Sequence, residues 1–208
     1  IKATAAYGRI KIAHPTSYVH FEDNYKEDFV AKFPYSKVPA WEGIDGFTLF
    51  ESAPIARYIA SLAPESGLLG KNGKEAALID QCQVHLMEEA NSYTENIELF
   101  VEGVLQPYSQ SSHSLFVQWQ LRALNVINGH LATRSLLVGE SLTLADIFIA
   151  TLVLRACGIN IDTAERAKLP HLMRHMEAVL NQPIYEGIFP PIPTLERAKG
   201  PIGLETQQ

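Results

Sequence analysis

The chain has 208 residues, 47% of them hydrophobic and 19% charged, with a formal net charge of −6 and an isoelectric point near 5.6. This is enough apolar material to bury a core in one large domain or two small ones, and the acidic balance argues against a nucleic-acid backbone as the main partner. No apolar run approaches the roughly 20 residues needed to span a bilayer and no signal peptide opens the chain, so a cytoplasmic protein is expected. Cys82 and Cys157 stand alone on helical patterns, which points to two buried thiols rather than a disulfide or a Cys-rich metal site.

Ile1 to Gly8 has the composition of the end of a helix closed by a glycine. Arg9 to Ala13 alternates and predicts a strand, Ser17 to Phe21 an extended segment, and Asn24 to Phe33 a short helix. Val38 to Trp41 and Phe47 to Phe50 then form two strands around a turn at Ile44, Asp45 and Gly46, where the glycine can take positive φ. A helix follows, with Ser52 expected as its N-cap, Pro54 in its first turn, and Ile55, Ile59 and Leu62 on one apolar face. The predicted order of this part is α, β, α, β, β, α.

Between Leu62 and Lys74 the chain carries Pro64, Gly67, Gly70 and Gly73, which marks a linker, and beyond it strand signals stop. Lys74 to Glu102 keeps apolar residues at helical spacing and predicts one long or bent helix; Pro107 opens another run ending near Leu131. Thr143 and Asp146 have the spacing of a capping box, with Leu142 and Ile147 placed as a hydrophobic staple. The segment after them, Ile147 to Leu154, is apolar on every face and predicts the buried central helix of an all-α bundle.

The polar groups of the first part converge on one chemistry. Val38 precedes a proline, which biases it to an extended backbone able to pair with an extended ligand. Glu51 and Ser52 stand at a strand-to-helix junction, where free helix N–H groups and the hydroxyl can hold a carboxylate while Glu51 holds an ammonium. Lys37 adds a cation. These groups fit a small peptide with an amino-acid head. Elsewhere, His171 and His175 are spaced like two zinc ligands, but Leu172 stands where a metalloprotease carries its Glu, so no metal is expected. Gly70 to Lys74 has the residues of a phosphate loop without the preceding strand or the following Ser or Thr.

The pattern Lys37-Val38-Pro39 followed by Glu51-Ser52-Ala53, Ile55, Ala56 and Tyr58 resembles the glutathione site of the glutathione transferase family. Thr143 with Asp146, Leu169 to Leu172, and Leu180 to Pro183 extend the likeness over most of the chain. The resemblance implies a thioredoxin-like α+β domain over residues 1–63, a linker over 64–73, an all-helical domain over 74–190 and a tail over 191–208. It implies glutathione held by Lys37, Val38, Pro39, Glu51 and Ser52, with a cis Val38–Pro39 bond; Tyr93, Phe100 and Tyr108 either line a pocket for a hydrophobic electrophile, as residues of the corresponding helices do in that family, or are core aromatics at helical spacing. It also implies a homodimer that pairs the first domain of one subunit with the helices of the other. In that family a further strand and the catalytic Ser, Tyr or Cys come before the point where this sequence opens, which leaves the catalytic residue unassigned. Phe33-Pro34, Lys37 to Ala40, Asp45 to Phe47 and Asn181 to Pro183 also resemble the transferase-like domain of the gamma subunit of eukaryotic translation elongation factor one. There the domain serves assembly, which implies elongation-factor subunits as partners in an alternative to catalysis.

Overall fold

A computed structural model describes residues 1–201; residues 202–208, the end of the expected tail, lie outside the described part. The chain divides into two units, one spanning Ile1–Leu69 and a second beginning at Gly70.

The first unit contains helix α1 (Lys2–Tyr7), helix α2 (Glu27–Lys32), strands β1 (Ala40–Glu42) and β2 (Thr48–Phe50), and helix α3 (Ser52–Ser61). The strands pair antiparallel, with Ala40 opposite Phe50, Trp41 opposite Leu49 and Glu42 opposite Thr48. Gly46, at φ 81°, supplies the turn conformation that residues with a Cβ resist. Ile55, Ala56, Ile59 and Ala60 recur at helical spacing and are buried. Ile55 and Ile59 meet Ala5, and Ile10, Ile12, Trp41 and Leu49 pack around them. Gly8 closes α1 where the chain passes Ala63 so closely that an added Cβ would lie 3.0 Å from the Ala63 Cβ.

Two expectations for this unit are revised. Arg9 to Ala13 forms no ladder, although its alternation does aim Ile10 and Ile12 at the core. A strand needs a neighbour for its backbone groups, and among the described residues β1 and β2 pair only with each other. Ser17 to Phe21 bends instead of extending, because the Asp23 carboxylate accepts from the Val19 N–H at 2.6 Å and Asn24 Oδ1 from the Phe21 N–H at 2.7 Å. Such local captures compete with sheet pairing. They also split the expected helix over 24–33 into a 3-10 turn at Asp23–Tyr25 and α2. A groove of about 690 Å³ runs beside β1, lined by residues of 12–15 and 38–42 together with Phe29, Phe33 and Ile55.

The second unit contains α4 (Gly73–Leu86), α5 (Ser92–Val101), α6 (Gln110–His130), α7 (Leu144–Cys157), α8 (Thr163–Lys168) and α9 (Pro170–Leu180). Asn72 caps α4 by accepting from the Lys74 and Glu75 N–H groups, each at 3.0 Å. A π-helical stretch, Met87–Asn91, joins α4 to α5, so the expected long helix is continuous but carries wider turns at its middle. The buried helix is α7, and a capping box between Thr143 and Asp146 opens it. Asp146 does more than cap. Its fully buried carboxylate accepts from the Thr143 N–H and hydroxyl and from the Leu137 N–H, each at 2.8 Å, and from His175 Nε2 on α9 at 2.9 Å. The chain before α7, the start of α7 and α9 are thereby tied to one carboxylate, and His175, buried in the bundle core, is held there through Nε2.

Candidate functional site

The hairpin register explains how residues far apart in sequence meet. Because Ala40 lies opposite Phe50, Val38 and Pro39 enter the hairpin at the end where Glu51 and Ser52 leave it. Lys37, Val38, Pro39 and Glu51 accordingly line one small pocket of about 50 Å³, with Phe33, Tyr35 and Phe50. Tyr35 and Phe50 meet edge to face at 5.4 Å and form its aromatic wall. The Val38–Pro39 bond is cis. Ser52, the first residue of α3, stands next to Glu51 at the same end.

Glu51 takes φ 70° and ψ 135°, a backbone conformation that costs a residue with a side chain about 1–3 kcal/mol. This sharp turn carries the chain from β2 into α3, whose first acceptor is already the Glu51 carbonyl, bonded by the Ile55 N–H at 3.2 Å. Glu51, rather than the expected Ser52, therefore occupies the N-cap position, and no side chain caps the helix. The reason is register. Ser52 already has helical geometry, so its hydroxyl lies one position too late to reach back over the first turn. Pro54 has no N–H to offer. The Ser52 and Ala53 N–H groups, the Ser52 hydroxyl and the Glu51 carboxylate have no hydrogen-bond partner among the described residues. Neither does the Val38 backbone. A zwitterionic amino-acid head would find complementary groups here: helix N–H donors for its carboxylate, and Glu51 for its ammonium.

One contributor escaped the sequence reasoning. Asn24 is 1% exposed, and its side-chain amide donates to the Ser36 carbonyl at 2.6 Å while accepting from Phe21. It thus fixes the loop immediately before Lys37. A lone asparagine carries no sequence signal of such a task.

In the second unit, Tyr93, Phe100 and Tyr108 join one aromatic cluster. Phe100 meets Tyr108 edge to face at 5.4 Å and stacks on Phe116 at 6.0 Å, and Tyr93 lies 6.2 Å from Phe116 and 5.2 Å from Trp119. Phe100 is almost wholly buried, while Tyr93 and Tyr108 are half-buried and have surface to offer a ligand. The Tyr108 hydroxyl lies 3.0 Å from His113 Nδ1. Burial holds the His113 pKa below its ordinary value, which favours the neutral imidazole. Among the described residues no group of three or more His, Cys, Asp or Glu side chains is arranged to hold a metal ion, and no helix is long and apolar enough to cross a membrane.

Comparison with known proteins defines the class. Residues 4–61 match the family model for the glutathione S-transferase N-terminal domain and residues 118–183 that for the C-terminal domain. The chain belongs to the glutathione S-transferase family, and its fold is the thioredoxin-like domain plus helical bundle of that family. Among individual relatives, it is 35% identical over 178 residues to the glutathione S-transferase-like protein LUC7 of Fusarium sp, covering 85% of this chain and 81% of that one. It is 30% identical over 198 residues to elongation factor 1-gamma of Danio rerio, covering 95% of this chain but 44% of that protein. The crystal structure of the GST-like domain of elongation factor 1-gamma from Saccharomyces cerevisiae superposes with a TM-score of 0.80 at 22% identity, over 96% of this chain and 91% of that one.

Proposed function

We propose that this protein is a glutathione transferase that joins the glutathione sulfur to a hydrophobic electrophile. The observation that supports this best is the convergence of Lys37, Val38, Pro39 and Glu51 on one pocket beside Ser52 and the unpaired N–H groups of α3. In this reading Glu51 takes the γ-glutamyl ammonium, Ser52 and the helix N–H groups take its carboxylate, and the Val38 backbone pairs with the cysteine of the tripeptide. Lys37 serves the remaining carboxylate. The bound thiol loses its proton, and the thiolate forms a C–S bond to the electrophile, which either expels a leaving group or accepts the proton after addition. Tyr93 and Tyr108, backed by Phe100, would hold the apolar part of that electrophile. Residues 1–63 form the glutathione-binding domain in this scheme, 64–73 the linker and 74–190 the electrophile-binding domain. The protein works in the cytoplasm as a homodimer.

A second reading has its own support in the likeness to elongation factor 1-gamma, which spans nearly the whole of this chain. Under it the chain is an assembly domain for translation-factor subunits and performs no conjugation.

Calorimetric titration with glutathione separates the two. Glu51→Ala should weaken binding by about 1.5–3 kcal/mol, the range for a charged hydrogen bond. Because Ser52 makes no cap bond, Ser52→Ala should lower affinity while leaving thermal unfolding unchanged. A wild type that binds no glutathione at millimolar concentration, or a Glu51 variant that binds equally well, would overturn the transferase reading and favour assembly.

A further inference from the structure

We propose that the C-terminal residues 192–199 form a detachable strap whose docking on the corner between α7 and α8 sets the order of the aromatic cluster in the helical unit. Residues 190–201 contain no helix or strand, yet they do not lie loose on the surface. The Thr163 N–H and hydroxyl donate to the Leu195 carbonyl at 3.0 and 3.1 Å, and the Lys199 N–H donates to the Ile159 carbonyl at 2.9 Å. The Ala198 N–H donates to Asp162 Oδ2 at 3.2 Å. Asp162 divides its carboxylate: Oδ1 caps α8 by accepting from the Ala164 and Glu165 N–H groups, and Oδ2 holds the strap. Pro193 sits against Gly158, where an added Cβ would come within 3.5 Å of the proline ring.

The strap has the properties of a segment that docks and releases. Its attachment rests on these few bonds at half-buried or exposed positions such as Asp162, Thr163, Ala198 and Lys199, where water competes for each partner. Pro190, Pro191 and Pro193 stiffen the approach, so little backbone freedom remains to be lost on docking.

The corner it grips leads directly into the core. Ile159, whose carbonyl receives the Lys199 N–H, is buried in a cluster with Ile97 and Val101, against which Phe116 and Val117 pack. The next residue, Asn160, donates to Gln120 Oε1 at 2.6 Å; Gln120 Nε2 in turn reaches Thr94 Oγ1 at 2.7 Å. All three polar residues are 5% exposed or less. Tyr93 and Trp119 are the chain neighbours of Thr94 and Gln120, and their rings lie 5.2 Å apart. A fully bonded buried network of this kind is intolerant of partial loss, so movement of the corner is passed to the rings. This coupling does not depend on what the cluster binds.

The test uses the full chain carrying Trp41→Phe, so that emission reports Trp119 alone. Ala198→Pro together with Lys199→Pro removes both N–H donors of the strap at exposed positions, and far-UV circular dichroism checks that the helices persist. Amide hydrogen exchange at Thr163 should accelerate roughly tenfold or more, and the Trp119 emission should move to longer wavelength. Unchanged exchange at Thr163 would show that nothing was detached. Accelerated exchange with unchanged Trp119 emission would show a strap without coupling. Either result overturns the proposal.

Discussion

Replacing Asp146 by alanine is expected to cost the fold about 3–5 kcal/mol. The carboxylate is fully buried and accepts four hydrogen bonds from Leu137, Thr143 and His175. Its removal leaves the Leu137 and Thr143 N–H groups without acceptors at positions only 3% exposed, and each such group costs about 1–3 kcal/mol. The freed Thr143 hydroxyl and His175 Nε2 add to this. Relief from burying the carboxylate subtracts from it, and two orphaned N–H groups at about 1–3 kcal/mol each, with the hydroxyl and the imidazole beside them, leave a balance of about 3–5 kcal/mol. Set against a total stability of about 5–15 kcal/mol for a typical domain, the variant should be close to unfolding at room temperature. Urea unfolding followed by circular dichroism measures the difference, with His175→Ala as an internal comparison that removes one of the four bonds and should cost less. A loss below about 1 kcal/mol for Asp146→Ala would refute the reasoning, since water would then be shown to replace the carboxylate freely.

Two further outcomes follow from the geometry. Gly8→Val should destabilise the first unit by about 1–3 kcal/mol, the usual cost of overpacking, because even a Cβ at this position stands 3.0 Å from the Ala63 Cβ; thermal unfolding of the variant checks this. Hydrogen bonds from the Glu165 N–H first, and from Ala198 and Ala164, hold the Asp162 pKa below the usual carboxylate range. The stabilisation from Asp162 is therefore complete above the unfolded value of about 3.9 and is lost as pH falls through the lower folded value. Hydrogen exchange at Ala198 should accordingly rise with acidification below about pH 4 beyond the intrinsic trend, and should lose that dependence in Asp162→Asn.

What could be read from the sequence was short-range. The hairpin was legible because Gly46 and the flanking alternation specify a turn and a register within a dozen residues, and the register alone brings Val38 beside Glu51. The capping box was legible for the same reason, as Thr143 and Asp146 are three residues apart. The second oxygen of Asp146 was not, since its partners Leu137 and His175 are chosen by packing rather than by spacing. Alternation over Arg9 to Ala13 accompanies the inward packing of Ile10 and Ile12 but could not report whether a neighbour stands alongside. At Glu51 local propensity was misleading: a serine beside a helix start is the commoner cap, whereas the chain here places a glutamate at positive φ and leaves the serine hydroxyl unused.

The groove beside β1 has a consequence for how this chain behaves in concentrated solution. Ala40 to Glu42 pair on one side only among the described residues, so their other side is a template on which any extended segment can crystallise a further strand. What guards it is charge. Lys32 forms a bidentate pair with Glu42 at 2.8 Å, and Asp23, Lys26 and Asp28 stand along the same groove. An apolar strand that docked there would have to bring its own flanks past these ions, and salt that screens them lowers that toll. Higher ionic strength is therefore expected to ease the addition of an extended segment at this edge of the described residues, whatever is bound at Glu51.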